Sequence, residues 1–119
     1  MNRELTVTIQ ERQYIVKYPN VGQLIDISVR ENGLTRGGTR DLMFSGLPEH
    51  QEAYLTIKVI AFMDIMLPNV VKDLKVDSLL ELDPIDFKII NDVYYNEIYK
   101  WLNEWKEALQ KLGRDSEES

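Results

Sequence analysis

The first apolar pattern along the chain has a period of two. Leu5, Val7 and Ile9 alternate with Thr6, Thr8 and Gln10, and beyond Glu11 and Arg12 the run Gln13 to Tyr18 is again rich in β-branched and aromatic residues. Period two puts alternate side chains on one face, so strands are expected over 4–10 and 13–18, paired as a hairpin with one face against a core. The turn lacks an Asn-Gly or Asp-Gly pair, which leaves its geometry open. A lone hairpin is marginal in water, so helices must cover one of its faces.

Pro19 cannot donate a ladder hydrogen bond and ends the second strand. Asn20 followed by Gln23 has the spacing of a capping box, and Leu24 and Ile27, with Val21 and Ile25 beside them, give a helical face over 21–32. Asn32 and Gly33 are the expected stop. Residues 33–46 read as one long irregular stretch, mobile at Gly37–Gly38 and anchored at its far end by Leu42, Met43 and Phe44.

Pro48, with Glu49 and Glu52 at the positive end, starts a helix expected to run to Leu67, where Pro68 stops it. Its second half is apolar nearly all round, which places it at the centre of the fold. Val70, Val71 and Leu74 extend the core through a short helical turn. Asp83, Pro84 and Asp86 then form a strong helix start. From there Phe87, Ile90, Tyr94, Ile98, Trp101, Leu102, Trp105, Leu109 and Leu112 fall within a stripe roughly 120° wide at about 100° per residue. Gly113 is the expected C-cap, and the net-acidic tail 114–119, which has no apolar member, is expected to be disordered. The reading is an α+β fold, mainly helical: one domain over 1–113, with a two-stranded N-terminal hairpin packed against about four helices.

Composition narrows the chemistry. The chain has 119 residues, enough to bury roughly two-thirds of its unfolded surface in a single core. With no cysteine and one histidine, a disulfide framework, a thiolate metal site and a cysteine nucleophile are all excluded. The net charge of −6 repels phosphate backbones, so no nucleic-acid partner is expected. The most apolar run, Ile57 to Leu67, would rise only about 16 Å as a helix against a hydrocarbon core of roughly 30 Å, so no membrane span is expected. The start of the chain has neither the basic residues nor the apolar run of a signal peptide, and a soluble protein is expected.

No residue set suggests catalysis. His50 lies in an exposed first helical turn beside acids and reads as a solvated surface histidine. Asp77, Glu81, Asp83 and Asp86 lack the calcium-loop spacing, and helix capping explains Asp77, Asp83 and Asp86 without a metal. Asp64, inside the apolar run, is read as partly exposed or salt-bridged, since a buried lone carboxylate is costly. Thr35-Arg36-Gly37-Gly38-Thr39-Arg40 does not match a phosphate-binding loop and reads as a flexible connector, or as a partner contact that orders on assembly. No catalytic residue, cofactor or metal is expected. The aromatic stripe suits either a core or an interface, and helical spacing favours the core. Tyr95, Tyr99, Trp101 and Trp105 are the candidate partner contacts, with Arg36 and Arg40 secondary.

The order of these pieces resembles the tail assembly chaperones of long-tailed bacteriophages. The residues that carry the likeness are Tyr18-Pro19 at the end of the hairpin, Met66-Leu67-Pro68 after the apolar helix, Asp73-Leu74 with Leu79-Leu80, and Tyr94-Tyr95 through Trp101 and Trp105. Lys100 precedes Trp101, where the family usually has a proline. The resemblance implies a protein of the host cytoplasm that binds the tape measure protein, helps to recruit tail tube subunits during virion assembly, and leaves before the virion matures. It also implies that a longer product is made by frameshifting. A permanent virion part, such as a small head–tail adaptor or stopper, is the alternative. The oligomeric state is left open.

Overall fold

A computed structural model of the chain describes residues 3–118, with side chains over 3–113. The fold is α+β and mainly helical, with the hairpin at the N-terminal end. Strands β1 (Glu4–Ile9) and β2 (Arg12–Lys17) pair antiparallel from Glu4↔Lys17 to Ile9↔Arg12. Val7, Ile9 and Val16 point into the core, while Thr6, Thr8, Gln13, Ile15 and Lys17 face solvent, as period two requires. The turn has only two residues, Gln10 at φ 50° and Glu11 at φ 68°. Two consecutive left-handed residues make the type I′ geometry whose twist matches the strands, built here without glycine or asparagine.

The hairpin mouth is closed by Tyr18 N–H donating to the Arg3 carbonyl at 2.8 Å. Pro19 follows, and helix α1 (Val21–Leu34) starts at the expected capping box. Asn20 Oδ1 accepts from Gln23 N–H at 2.8 Å, and Gln23 Oε1 accepts from Asn20 N–H at 3.0 Å.

Helix α1 does not stop at Gly33. It ends in a Schellman arrangement three residues later: Gly37 N–H donates to the Asn32 carbonyl and Arg36 N–H to that of Gly33. Arg36, at φ 56°, takes the left-handed position usually held by glycine, and Gly37 is left-handed too. The stretch expected to be irregular over 33–46 contains a short helix, α2 (Thr39–Met43). Thr39 Oγ1 lies 2.7 Å from Thr35 Oγ1, tying the start of α2 back to the end of α1. The expected anchor at its far end is also corrected. Only Leu42 is half-buried; Met43 and Phe44 are exposed.

Helix α3 (Pro48–Met66) is the central element, with Val59 through Met63 all buried, so every side of the helix is covered at this level. Leu67 and Pro68 turn the chain into α4 (Pro68–Asp73), which contributes Val70 to the same core. The hairpin tip is fastened to the end of α4: Tyr14 Oη donates to Asp73 Oδ2 at 2.6 Å, and Arg12 Nη1 lies 3.2 Å from Oδ1. That hydroxyl, helped by Arg12, holds the Asp73 carboxyl below its ordinary range.

A 3-10 turn over Leu79–Glu81 buries Leu79 and leads to α5 (Pro84–Val93), capped by Asp83 Oδ1 accepting from Asp86 N–H at 2.8 Å. A π-helical turn follows at Tyr94–Ile98, and then α6 (Tyr99–Glu118). The C-terminal run thus contains a wide turn, and the hairpin packs on one face against a mainly helical body, as expected. Helix α6 continues through Gly113, which is not a cap. The tail expected over 114–119 lies outside the described side chains. No helix among the described residues is long and apolar enough to cross a membrane.

Ile90, Tyr94, Ile98 and Trp101 from the C-terminal run join Val59, Met63, Val70, Leu79 and the hairpin face in one cluster. Burying each such large side chain contributes about 1.5–3 kcal/mol. The stripe's last members are not covered. Leu109 is 49% and Leu112 64% exposed, because the hairpin and α1 do not reach far enough along α6.

Candidate functional site

The π turn shapes the main surface feature. Tyr99 N–H donates to the Tyr94 carbonyl, five residues back. In a regular α-helix Tyr94 and Tyr99 would point about 140° apart; the wider turn brings Tyr99 back over Tyr94, at 6.3 Å between ring centroids. Tyr95 stands edge-on to Tyr94 at 4.9 Å and lies 5.6 Å from Tyr99. Its hydroxyl donates to the Leu55 carbonyl at 3.0 Å, fixing the turn to α3.

This tyrosine cluster borders an open groove of about 210 Å³ between α1 and α6. Leu24 and Ile27 form the α1 wall, Leu102 and Tyr99 the α6 wall, and Phe62 and Tyr94 line the space between them. Phe62 and Tyr94 meet edge to face at 5.4 Å. A second cleft, of about 480 Å³, lies between the hairpin mouth and α6, lined by Arg3, Lys17, Trp105 and Leu109. Tyr18 and Pro19 line both, so the two clefts flank one corner of the chain.

Charge enters the groove at Glu31, Lys58 and Lys106. Burial pushes the Glu31 carboxyl above its ordinary value, opposed by Lys58. Lys58 Nζ also sits 5.6 Å from the centroid of Tyr54. Burial, then the neighbouring Tyr95 and Glu31, hold the Tyr94 hydroxyl far above the usual tyrosine range, so it stays neutral. The result is a mostly apolar trough with a few polar groups at its rim, which suits an apolar side-chain row better than a small polar ligand.

The sequence-predicted contacts divide. Tyr99 is partly exposed and lines the groove. Trp105 is half-buried, faces the second cleft and packs on Tyr18. Tyr95 is a brace rather than an open contact, through its bond to Leu55. Trp101 is corrected from contact to core. It is 6% exposed and meets Tyr18 edge-on at 5.9 Å. Arg36 and Arg40 are exposed but line neither cleft. Sequence reasoning missed Leu24, Ile27 and Leu102 as groove walls. The available signal was α1 itself, whose Val21, Leu24, Ile25, Ile27 and Val29 are more apolar residues than one buried face can use.

Elsewhere, His50 is exposed, with Nδ1 2.9 Å from Ser45 Oγ. Asp64 is salt-bridged: Oδ2 accepts from Arg30 Nη2 at 3.0 Å and Nε at 3.2 Å, while Oδ1 is buried without a hydrogen-bond partner among the described residues. No group of three histidine, cysteine or acidic residues that could hold a metal occurs among the described residues. Set against known proteins, the chain matches no family model, no curated protein and no solved structure.

Proposed function

We propose that this chain is a non-enzymatic docking protein that receives an apolar helical segment in the groove between α1 and α6. The observation that carries this reading is the wall pair of exposed Leu24 and half-buried Leu102 over a Phe62–Tyr94 base, continued by exposed Leu109 in the adjoining cleft. Exposed apolar surface set in a concave, polar-rimmed site is the usual mark of a protein-binding groove. A helix laid along it would bury a row of side chains at i, i+3 and i+4.

Within that class we assign the chain the role of a tail assembly chaperone of a long-tailed bacteriophage, acting in the host cytoplasm. The order of hairpin, Pro19, apolar α3 ending at Leu67-Pro68, and an aromatic-rich C-terminal run supports it. The helical partner is then the tape measure protein, kept soluble while tail tube subunits are recruited.

The test is capture with the carboxyl-terminally tagged chain from phage-producing cells, with purified virions assayed in parallel by mass spectrometry. The expected result is a long helical tape-measure protein in the capture, lost with the L24D/L102D double variant, and little of the chain in virions. Stoichiometric presence in virions without such a partner overturns the chaperone role and makes the chain a permanent virion part. Capture unaffected by L24D/L102D overturns the groove.

A further inference from the structure

Two exposed apolar patches of opposite charge lie on different parts of this chain. The first surrounds α2. Phe44 is 71% exposed, with Met43 and Leu47 also exposed beside it in sequence. The Arg40 guanidinium sits 5.7 Å from the centroid of the Phe44 ring. Arg36 is held outward at the left-handed end of α1. Neither arginine enters an ion pair among the described residues, and Asp41 is the one acid of α2.

The second patch is the 3-10 turn and the start of α5. Ile85 is 79% exposed and Leu80 is exposed near it. Asp77, Glu81 and Asp83 are exposed on the same short segment, and no lysine or arginine occurs between Lys75 and Lys88. The two patches reflect an asymmetry of the whole chain. Residues 1–47 carry six basic and five acidic side chains; residues 48–119 carry eight and fifteen.

Both patches are open to solvent, so neither covers the other within one molecule. We propose that they cover each other between molecules: the α2 patch of one copy docks on the α5 patch of a second copy. The net charge of −6 opposes indiscriminate contact between copies. A contact that sets Arg36 and Arg40 against Glu81 and Asp77 removes that repulsion locally and steers the approach. Phe44 and Ile85 then supply apolar area at its centre. Because the two surfaces differ, the contact is heterologous: copies join head to tail, or as a pair if both contacts close at once. This inference uses neither Leu24 nor Leu102 and stands or falls apart from the groove.

Sedimentation velocity of the purified full chain, from dilute to concentrated and at low and high salt, tests it. The expected result is a reversible, concentration-dependent rise in mass that salt weakens, since the steering charges are exposed. R40E and E81R, each with an unchanged circular dichroism spectrum, are expected to weaken association at least about tenfold. An equimolar mixture of the two variants regains both contacts between unlike copies: the altered α2 of R40E meets the altered α5 patch of E81R, and the unaltered α2 of E81R meets the unaltered α5 patch of R40E. F44S and I85S weaken association at any salt concentration. A single species of monomer mass throughout overturns the proposal. So does association indifferent to substitution in either patch, or an R40E and E81R mixture no stronger than either variant alone.

Discussion

The ring of Tyr18 lies 5.0 Å from that of Trp105 and 5.9 Å, edge-on, from that of Trp101. One residue at the end of the hairpin thus holds two turns of α6, and the two tryptophans divide the work. Trp101 is core; Trp105 is the last ring that the body covers in part. W101A is expected to cost about 3–5 kcal/mol, as for other buried aromatics, and W105A roughly half as much. Urea denaturation read by circular dichroism measures both. The tryptophan emission that survives in W105A, from Trp101, is expected to be bluer than that in W101F.

Arg30 and Asp64 are not interchangeable in the bridge between α1 and α3. The Asp64 side chain is 13% exposed and that of Arg30 39%. Removing the arginine strands a carboxylate whose Oδ1 already lacks a partner, whereas removing the aspartate lets the arginine turn to water. After a discount for the exposure of Arg30, R30A is expected to cost about 1–3 kcal/mol, and D64L to lie within about 1 kcal/mol of wild type. Equal losses in thermal denaturation contradict this.

Left-handed non-glycine residues are an open reserve of stability. Gln10, Glu11 and Arg36 all have positive φ, and such a conformation costs a side-chain-bearing residue roughly 1 kcal/mol or more. Replacing Gln10-Glu11 by Asn-Gly is expected to raise stability by about 1 kcal/mol, an increase of a few degrees in Tm. R36G at the end of α1 is expected to act in the same direction. A fall in Tm for the turn variant would mean that the hairpin is not a type I′ turn in solution.

Stability at alkaline pH is expected to depend on Tyr94. Burial raises its pKa in the folded state above the unfolded value near 10. The folded state therefore gains from the neutral hydroxyl at all pH values below about 10, and loses that gain as pH rises toward the folded value. The urea midpoint of the wild type should fall steeply above pH about 10, and that of Y94F less so. Parallel pH profiles would remove Tyr94 as the cause.

Much of the fold was legible where a local rule acts alone. The capping box at Asn20 and Gln23, the Asp83-Pro84 start of α5 and the apolar centre of α3 each state their geometry in a few residues. The failures share a cause: they depend on how far neighbouring elements reach. Gly33 and Gly113 are both possible stops, yet the hydrogen bonds that end α1 form three residues beyond Gly33, and α6 runs on through Gly113. The π turn left no mark that counting at 100° per residue would find, because the contacts beside it, Tyr94 on Phe62 and Tyr95 on the Leu55 carbonyl, are made with α3 and not along the run itself. The stripe from Phe87 to Leu112 was real, but a stripe cannot say where the opposing surface ends. For that reason the pattern alone does not separate buried Trp101 from groove-lining Leu102. The groove exists only once Tyr18-Pro19 sets α1 beside α6.

The closed hairpin mouth has a practical consequence for handling the protein. Arg3 and Glu4 line the larger cleft. The bulk of an affinity tag, fluorophore or fusion partner joined close to Arg3 therefore competes with whatever docks beside Trp105. Labels at this end would report an affinity that belongs partly to the label.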